Sequence, residues 1–108
     1  MSIPASLNTA PERIAALHAI RDRHPGTDSA PQRARLLEAV QTLGHVTTFE
    51  GSRHLDCYDP RAHKMELVKA GNDITTTWRI TVTEAGALYR VGVYALNRSG
   101  NKLGGVAL

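Results

Sequence analysis

Arg61, His63 and Lys64 crowd the start of a segment bounded by Asp59-Pro60 on one side and Gly71 on the other, and Lys69 stands two turns further along. Cationic groups at the front of a helix can donate to base-edge acceptors such as guanine O6 and N7. They can also neutralise phosphate oxygens, helped by the free N–H groups of the helix terminus. At 100° per residue Arg61, Met65 and Lys69 spread over one broad side, and Lys64, Leu67 and Val68 over another. That division gives Arg61 the base contact and Lys64 and Lys69 the phosphates. Arg53 upstream, with Arg79 and Arg90 downstream, could add backbone contacts, and four phosphate contacts by a monomer would give a log–log salt slope of about −3.6. A solvated charged face is the competing account of each of these side chains.

Two other chemistries are open to this stretch. His54, Cys57 and His63 have spacings from which a three-ligand zinc site could be assembled, with Asp56 or Glu66 nearby. A second cysteine to form a Cys-x-x-Cys knuckle is missing, so ordinary packed or exposed side chains are the expectation and no metal is assigned. Cys57 beside either histidine could also be an activated thiolate. The chain has no phosphate-cradling glycine loop and no paired-carboxylate site, so neither catalysis nor a cofactor is expected.

The elements that position the basic residues are marked by their caps. Thr47 and Glu50 have capping-box spacing, which starts a short helix near Thr48 that runs to about Leu55. Asp56, Cys57 and Tyr58 form a tight link, and Asp59 with Pro60 supplies the N-cap and first-turn proline of a helix from Pro60 to Ala70. Gly71 takes the left-handed position that ends it. The run ITTTWRITV then alternates as a strand with Ile74, Thr76, Trp78, Ile80 and Val82 on one face, so that Trp78 is expected in the core and Arg79 on the opposite face. Thr83 to Gly86 form a hairpin loop with Gly86 at positive φ, and Ala87 to Leu96 return.

Upstream, Leu36, Leu37, Val40 and Leu43 make the apolar stripe of a helix from about Pro31 to Leu43, with Ser29 as its cap and Arg33, Arg35, Glu38 and Gln41 off the stripe. HPGTDSAP, from His24 to Pro31, is a linker by composition. Before it, Thr9, Pro11 and Glu12 open a helix to Arg23 whose narrow stripe is Ile14, Leu17 and Ile20. Such a stripe is too small to stand alone, so it docks on the domain or on a second subunit. The organisation expected is therefore a lead, helix and linker over residues 1–28, a domain over 29–96 and a flexible tail over 97–108.

With 108 residues the chain can bury one modest core. The net charge of +3 arises in residues 29–108, which hold ten basic and seven acidic side chains. That balance suits a polyanion without requiring one. A single cysteine excludes an intrachain disulfide, and the sequence shows neither a leader peptide nor an apolar run of membrane-spanning length. A cytoplasmic protein that does not engage membranes is the expectation.

From Gln32 to Leu96 the order of parts resembles the small winged helix-turn-helix domains of bacterial genomes and their prophages. The parts are a leucine-bearing helix, Gly44-x-Val46-Thr47-Thr48, Asp59-Pro60-x-Ala62, Glu66-Leu67, Gly71, Ile74-Thr75-Thr76, and Arg90-Val91 leading to Tyr94-x-Leu96. The resemblance implies an α+β winged helix-turn-helix, with a three-helix core, a C-terminal β-hairpin wing and, here, an extra N-terminal helix. It also implies sequence-specific binding of double-stranded DNA by a bacterial or phage-related transcription regulator, with the helix over 60–70 in the major groove and Arg53, Arg61, His63, Lys64, Lys69, Arg79 and Arg90 as its DNA contacts. A homodimer through Ile14, Leu17 and Ile20 would fit two half-sites. Members usually carry an apolar residue where this chain has Lys64. Either Lys64 lies half-buried along its methylene stem, or the helix is rotated and Met65 or Val68 fills the core. The rival function is a protein-interaction module on the same scaffold, which Glu66 in the recognition helix favours. The rival gains if Glu66, Asp73 and Glu84 interrupt the positive surface.

Overall fold

A computed structural model describes residues 10–83 and 85–97. The expected lead before Ala10, the Thr9 cap, Glu84 and the tail beyond Asn97 lie outside the described residues. Helices α1 (Pro11–Arg23) and α2 (Ser29–Leu43) are followed by a short strand β1 (His45–Thr47). Then come α3 (Thr48–Arg53), α4 (Pro60–Lys69) and a hairpin of β2 (Ile74–Val82) and β3 (Leu88–Leu96).

The local punctuation accounts for the helix-turn-helix. Thr47 Oγ1 accepts from the Glu50 amide at 3.0 Å while the Glu50 carboxylate accepts from the Thr47 amide at 3.0 Å, closing the capping box of α3. Asp59 caps α4 through the Ala62 amide, with Pro60 in the first turn. At the other end Gly71 takes φ +106°, its amide donates to Val68 O and the Asn72 amide donates to Leu67 O. This is the two-bond Schellman stop that turns the chain out of α4 and into β2. One cap differs from expectation: α2 begins at Ser29 with Asp28 in the N-cap position, two residues before Pro31.

The sheet has three strands, in the order β1-β3-β2, all antiparallel. β1 pairs its His45, Val46 and Thr47 with Ala95, Tyr94 and Val93 of β3. The hairpin pairs from Ile74 with Leu96 to Val82 with Leu88, across a loop in which Gly86 has φ +88°. β1 is a strand that periodicity does not announce, since three residues carry no alternation to read. It ties the wing into the helical layer.

The core draws on every element except α3: Leu17 and Ile20 from α1, Leu36, Ala39 and Val40 from α2, Val46 from β1, Leu67 from α4, Ile74 from β2 and Tyr94 from β3, with Leu55 and Cys57 from the turn. Of the two docking places open to α1, the structure takes the domain. Leu17 and Ile20 are fully buried within the chain, and Ile14 is half-buried. The expectation that these side chains form a subunit contact is thereby corrected, because the apolar area that would drive association is already removed from water. Polar ties hold the same helix. The Arg13 guanidinium donates to both oxygens of Glu50, at 2.8 and 3.1 Å, and to the His45 carbonyl at 2.8 Å. It thus grips the carboxylate that caps α3.

Arg35, expected off the apolar stripe of α2, is another correction: only 2% of it is exposed. Its guanidinium donates to the carbonyls of His24 (2.6 Å), Gly26 (3.0 Å) and Asp56 (3.1 Å), so one buried cation ties the α1–α2 linker to the turn between α3 and α4. Asp56 sits there at φ +56°. Glu38 similarly meets Arg23 and His24, and Arg23 first, then His24, hold its carboxyl below the usual carboxylate range.

Candidate nucleic-acid interface

α4 turns His63 and Leu67 inward, four residues apart on one face. What remains outside is Arg61, Ala62, Met65, Glu66, Val68 and Lys69, with Lys64 half-buried at the edge. Met65 and Val68 are exposed, so the helix is not rotated to bury them, and the half-buried stem is the reading of Lys64 that the structure realises.

His63, expected on the DNA face, is instead a buried strut. Its Nε2 meets Gln32 Oε1 at 3.0 Å and its Nδ1 meets Glu66 Oε1 at 2.9 Å. The same Gln32 oxygen accepts from the Tyr58 amide at 2.7 Å, and Gln32 Nε2 donates to Thr27 O. Through Gln32 the recognition helix is registered against α2, the linker and the preceding turn. Arg33 reaches Glu66 from α2 at 3.4 Å. The His63 imidazole and then the Arg33 guanidinium hold the Glu66 carboxyl below its ordinary range, so its charge is met by the protein rather than presented alone.

The main surprise lies on the wing. Trp78 is 55% exposed, which corrects its placement in the core. It shares a sheet face with Ile74 and Tyr94, as the alternation requires, but the helices cover only the proximal end of that face. Further along, Trp78 and Ile80 are exposed, the first at the edge of the helical layer and the second beyond Trp78 toward the hairpin loop. Opposite Trp78 stands Gly92, where a Cβ would lie 3.2 Å from Thr48 Cγ2 and 3.6 Å from the indole, so the glycine lets the start of α3 approach the strand closely while the ring keeps ordinary contact. The Arg90 guanidinium lies over the ring with its carbon 4.6 Å from the centroid.

Between α4 and the wing a groove of about 570 Å³ is lined by Arg61, Lys64 and Met65 of the helix and by Thr76, Trp78 and Tyr94 of the hairpin, with Asp59 and Ala62 completing it. Burial pushes the Tyr94 phenol up from its ordinary value, while Arg61 and Asp59 act on it in opposite directions. The groove therefore gathers Arg61 and Lys64, and Arg90 stands behind its tryptophan wall.

The remaining basic residues lie elsewhere. Lys69 is on the exposed side of α4 about 12 Å from Arg61 along the axis. Arg79 projects from the sheet face opposite Trp78, on the side of His45, whose charge it disfavours. Arg53 packs over the Phe49 ring at 5.8 Å and contributes nothing to the groove lining.

His54, Cys57 and His63 do not converge: among the described residues no group of three side chains able to hold a metal ion is formed. His54 packs against His18 and Phe49. Cys57 is buried, donates to the Gln32 carbonyl at 3.4 Å, and has its thiol pushed up to about 11 chiefly by burial. Such a thiol is a packing group and not an activated nucleophile. Among the described residues no helix is long and apolar enough to cross a membrane.

A family model described as a winged helix-turn-helix domain matches residues 31–99, more than half of the chain. No curated protein and no solved structure matches it.

Proposed function

The chain belongs to the winged helix-turn-helix domain family, and on that premise we propose that it binds double-stranded DNA with α4 in the major groove and the wing against the backbone. The observation that carries this reading is the meeting of Arg61 and Lys64 in one groove at the junction of α4 and the hairpin, with Arg90 stacked on the Trp78 that walls it. Arg61, free at the front of the helix, serves base edges. Lys64, Lys69 and Arg90 serve phosphates, and the stacking of Arg90 on Trp78 orders a side chain that would otherwise lose conformational freedom on binding. His63, Arg53 and Arg79 have no place in this set.

The interaction-module reading rested on Glu66 repelling phosphate. Since Glu66 is bonded to His63 and Arg33, that objection is weakened and the DNA reading gains. The family's usual chemistry is recognition, and catalysis is not proposed. Transcription regulation in a bacterial or phage setting is the role that such recognition would serve. No homodimer is proposed through Ile14, Leu17 and Ile20.

Fluorescence anisotropy with labelled random duplex across a salt series tests the proposal. Binding should weaken with a log–log slope of about −2.7 if Lys64, Lys69 and Arg90 each neutralise one phosphate. Folded protein that leaves duplex unbound at low salt would refute it. Selection from a random DNA library then tests sequence preference: an enriched motif supports the regulator role, and its absence removes it.

A further inference from the structure

Duplex reading leaves one feature unused, the aromatic wall of the groove. In stacked, paired DNA each base turns its faces to its neighbours and offers only edges to the grooves. An indole that forms the wall of a concave site finds no base face there to lie against. An unstacked base supplies one, and stacking on aromatic side chains is how proteins hold bases that have left the helix. We propose that the groove between α4 and β2 takes an unstacked nucleobase of DNA, so that the protein binds single strands and mismatched duplexes more tightly than fully paired duplex of the same length. This rests on the DNA-binding reading and adds the state of the DNA that the site selects.

The lining fits that occupant. Trp78 and Tyr94 come from the hairpin and Met65 from α4, so a planar ring entering the groove is covered by apolar side chains of both strand and helix. Arg61 and Lys64 border the same space, where the phosphates flanking an inserted base must pass. Asp59 is the one carboxylate in the lining, and it already accepts from the Ala62 amide. Cations around an aromatic wall suit a flat ring carried on an anionic chain better than a neutral or acidic ligand. Arg90 lies over the indole but outside the lining, so it props the ring without filling the site. Tyr94 is only 2% exposed, so it closes the floor of the groove and anchors it to the core.

Trp78 is the chain's only tryptophan, so its emission reports the site directly. The full chain is titrated with a short thymidine oligonucleotide, with a duplex of the same length, and with that duplex carrying one mismatch. Anisotropy of the labelled DNAs is read in parallel. The single strand and the mismatched duplex should quench Trp78 and bind more tightly than the intact duplex. Trp78→Ala should weaken both by about 5- to 150-fold, the range expected for loss of one base–aromatic stack, and should weaken the intact duplex less, by only what the lost ordering of Arg90 costs all three DNAs alike. Trp78→Phe should keep most of the preference, and circular dichroism of each variant guards against unfolding. Equal affinity for all three DNAs, or an equal loss on all three in Trp78→Ala, overturns the inference while the duplex-binding reading stands. No binding of any of them by folded protein at low salt overturns both.

Discussion

Replacing Leu17 with alanine separates a helix that belongs to the domain from one that waits for a second subunit. Leu17 is fully buried beside Ile20 and the apolar side chains of α2. A Leu→Ala change in a packed core costs about 2–5 kcal/mol, and the cost rises where the surroundings cannot close the cavity. Here α1 is held in place by Arg13, which bonds both Glu50 and the His45 carbonyl, so collapse is restricted and a loss of about 3 kcal/mol is expected. With a urea m-value of about 1–1.5 kcal/mol/M for a small domain, the midpoint falls by about 2–3 M. The assay is urea unfolding followed by circular dichroism, at two widely separated protein concentrations. The midpoints of both wild type and variant should be independent of concentration, and duplex affinity should be unchanged where the variant is folded. A loss under about 1 kcal/mol, or a wild-type midpoint that climbs with concentration, would refute the placement of α1 in the chain's own core.

Lys64→Ala should reduce the magnitude of the log–log salt slope for duplex binding by about 0.9, measured by anisotropy. Arg61→Ala should weaken binding to a selected site by about 1–3 kcal/mol and relax its sequence preference, and Arg79→Ala on the opposite sheet face should leave slope and preference unchanged. Glu66 has its folded-state carboxyl below the ordinary 4.5, so its pairing with His63 and Arg33 stabilises fully above that pH and is lost as pH falls through the lower folded value. Urea midpoints measured from neutral pH into the acid range should therefore decline less steeply in Glu66→Gln, with the share due to Glu38 remaining. Cys57, with its thiol at about 11, has about a thousandth of its population ionised at pH 8, so a thiol-specific chromogenic reagent should label the native chain far more slowly than the urea-unfolded one. Equal rates would show that the turn opens freely.

What was legible in the residues was what neighbours in sequence decide. The Thr47–Glu50 box, the Asp59-Pro60 start and the Gly71 stop are satisfied within a few residues of themselves, and the structure realises each of them. Side-chain destinations that depend on distant elements were harder to read. Strand alternation put Trp78 correctly on the face of Ile74, but alternation cannot say how far the helices extend over that face. His63 reads as one more cation beside Arg61 until Gln32, thirty-one residues away, is seen to meet its ring. Arg35 reads as surface because its partners are carbonyls, which no residue type announces. The Gln32 and Arg35 pair, four residues less one apart on α2, was the available hint, since polar groups on a core-facing helix need partners nearby.

The way Arg35 is held bears on how this domain can diverge. The three oxygens that bind its guanidinium are main-chain atoms of residues 24, 26 and 56, so the tie reads the path of the backbone, which Gly26 at φ +117° and Asp56 at φ +56° help to set. Other linker and turn positions can therefore drift, provided 26 and 56 keep residues that tolerate positive φ, while lysine at position 35 would lack the fork that reaches separate segments at once. Homologues should thus keep this arginine together with residues able to hold positive φ at positions 26 and 56, and vary at their neighbours.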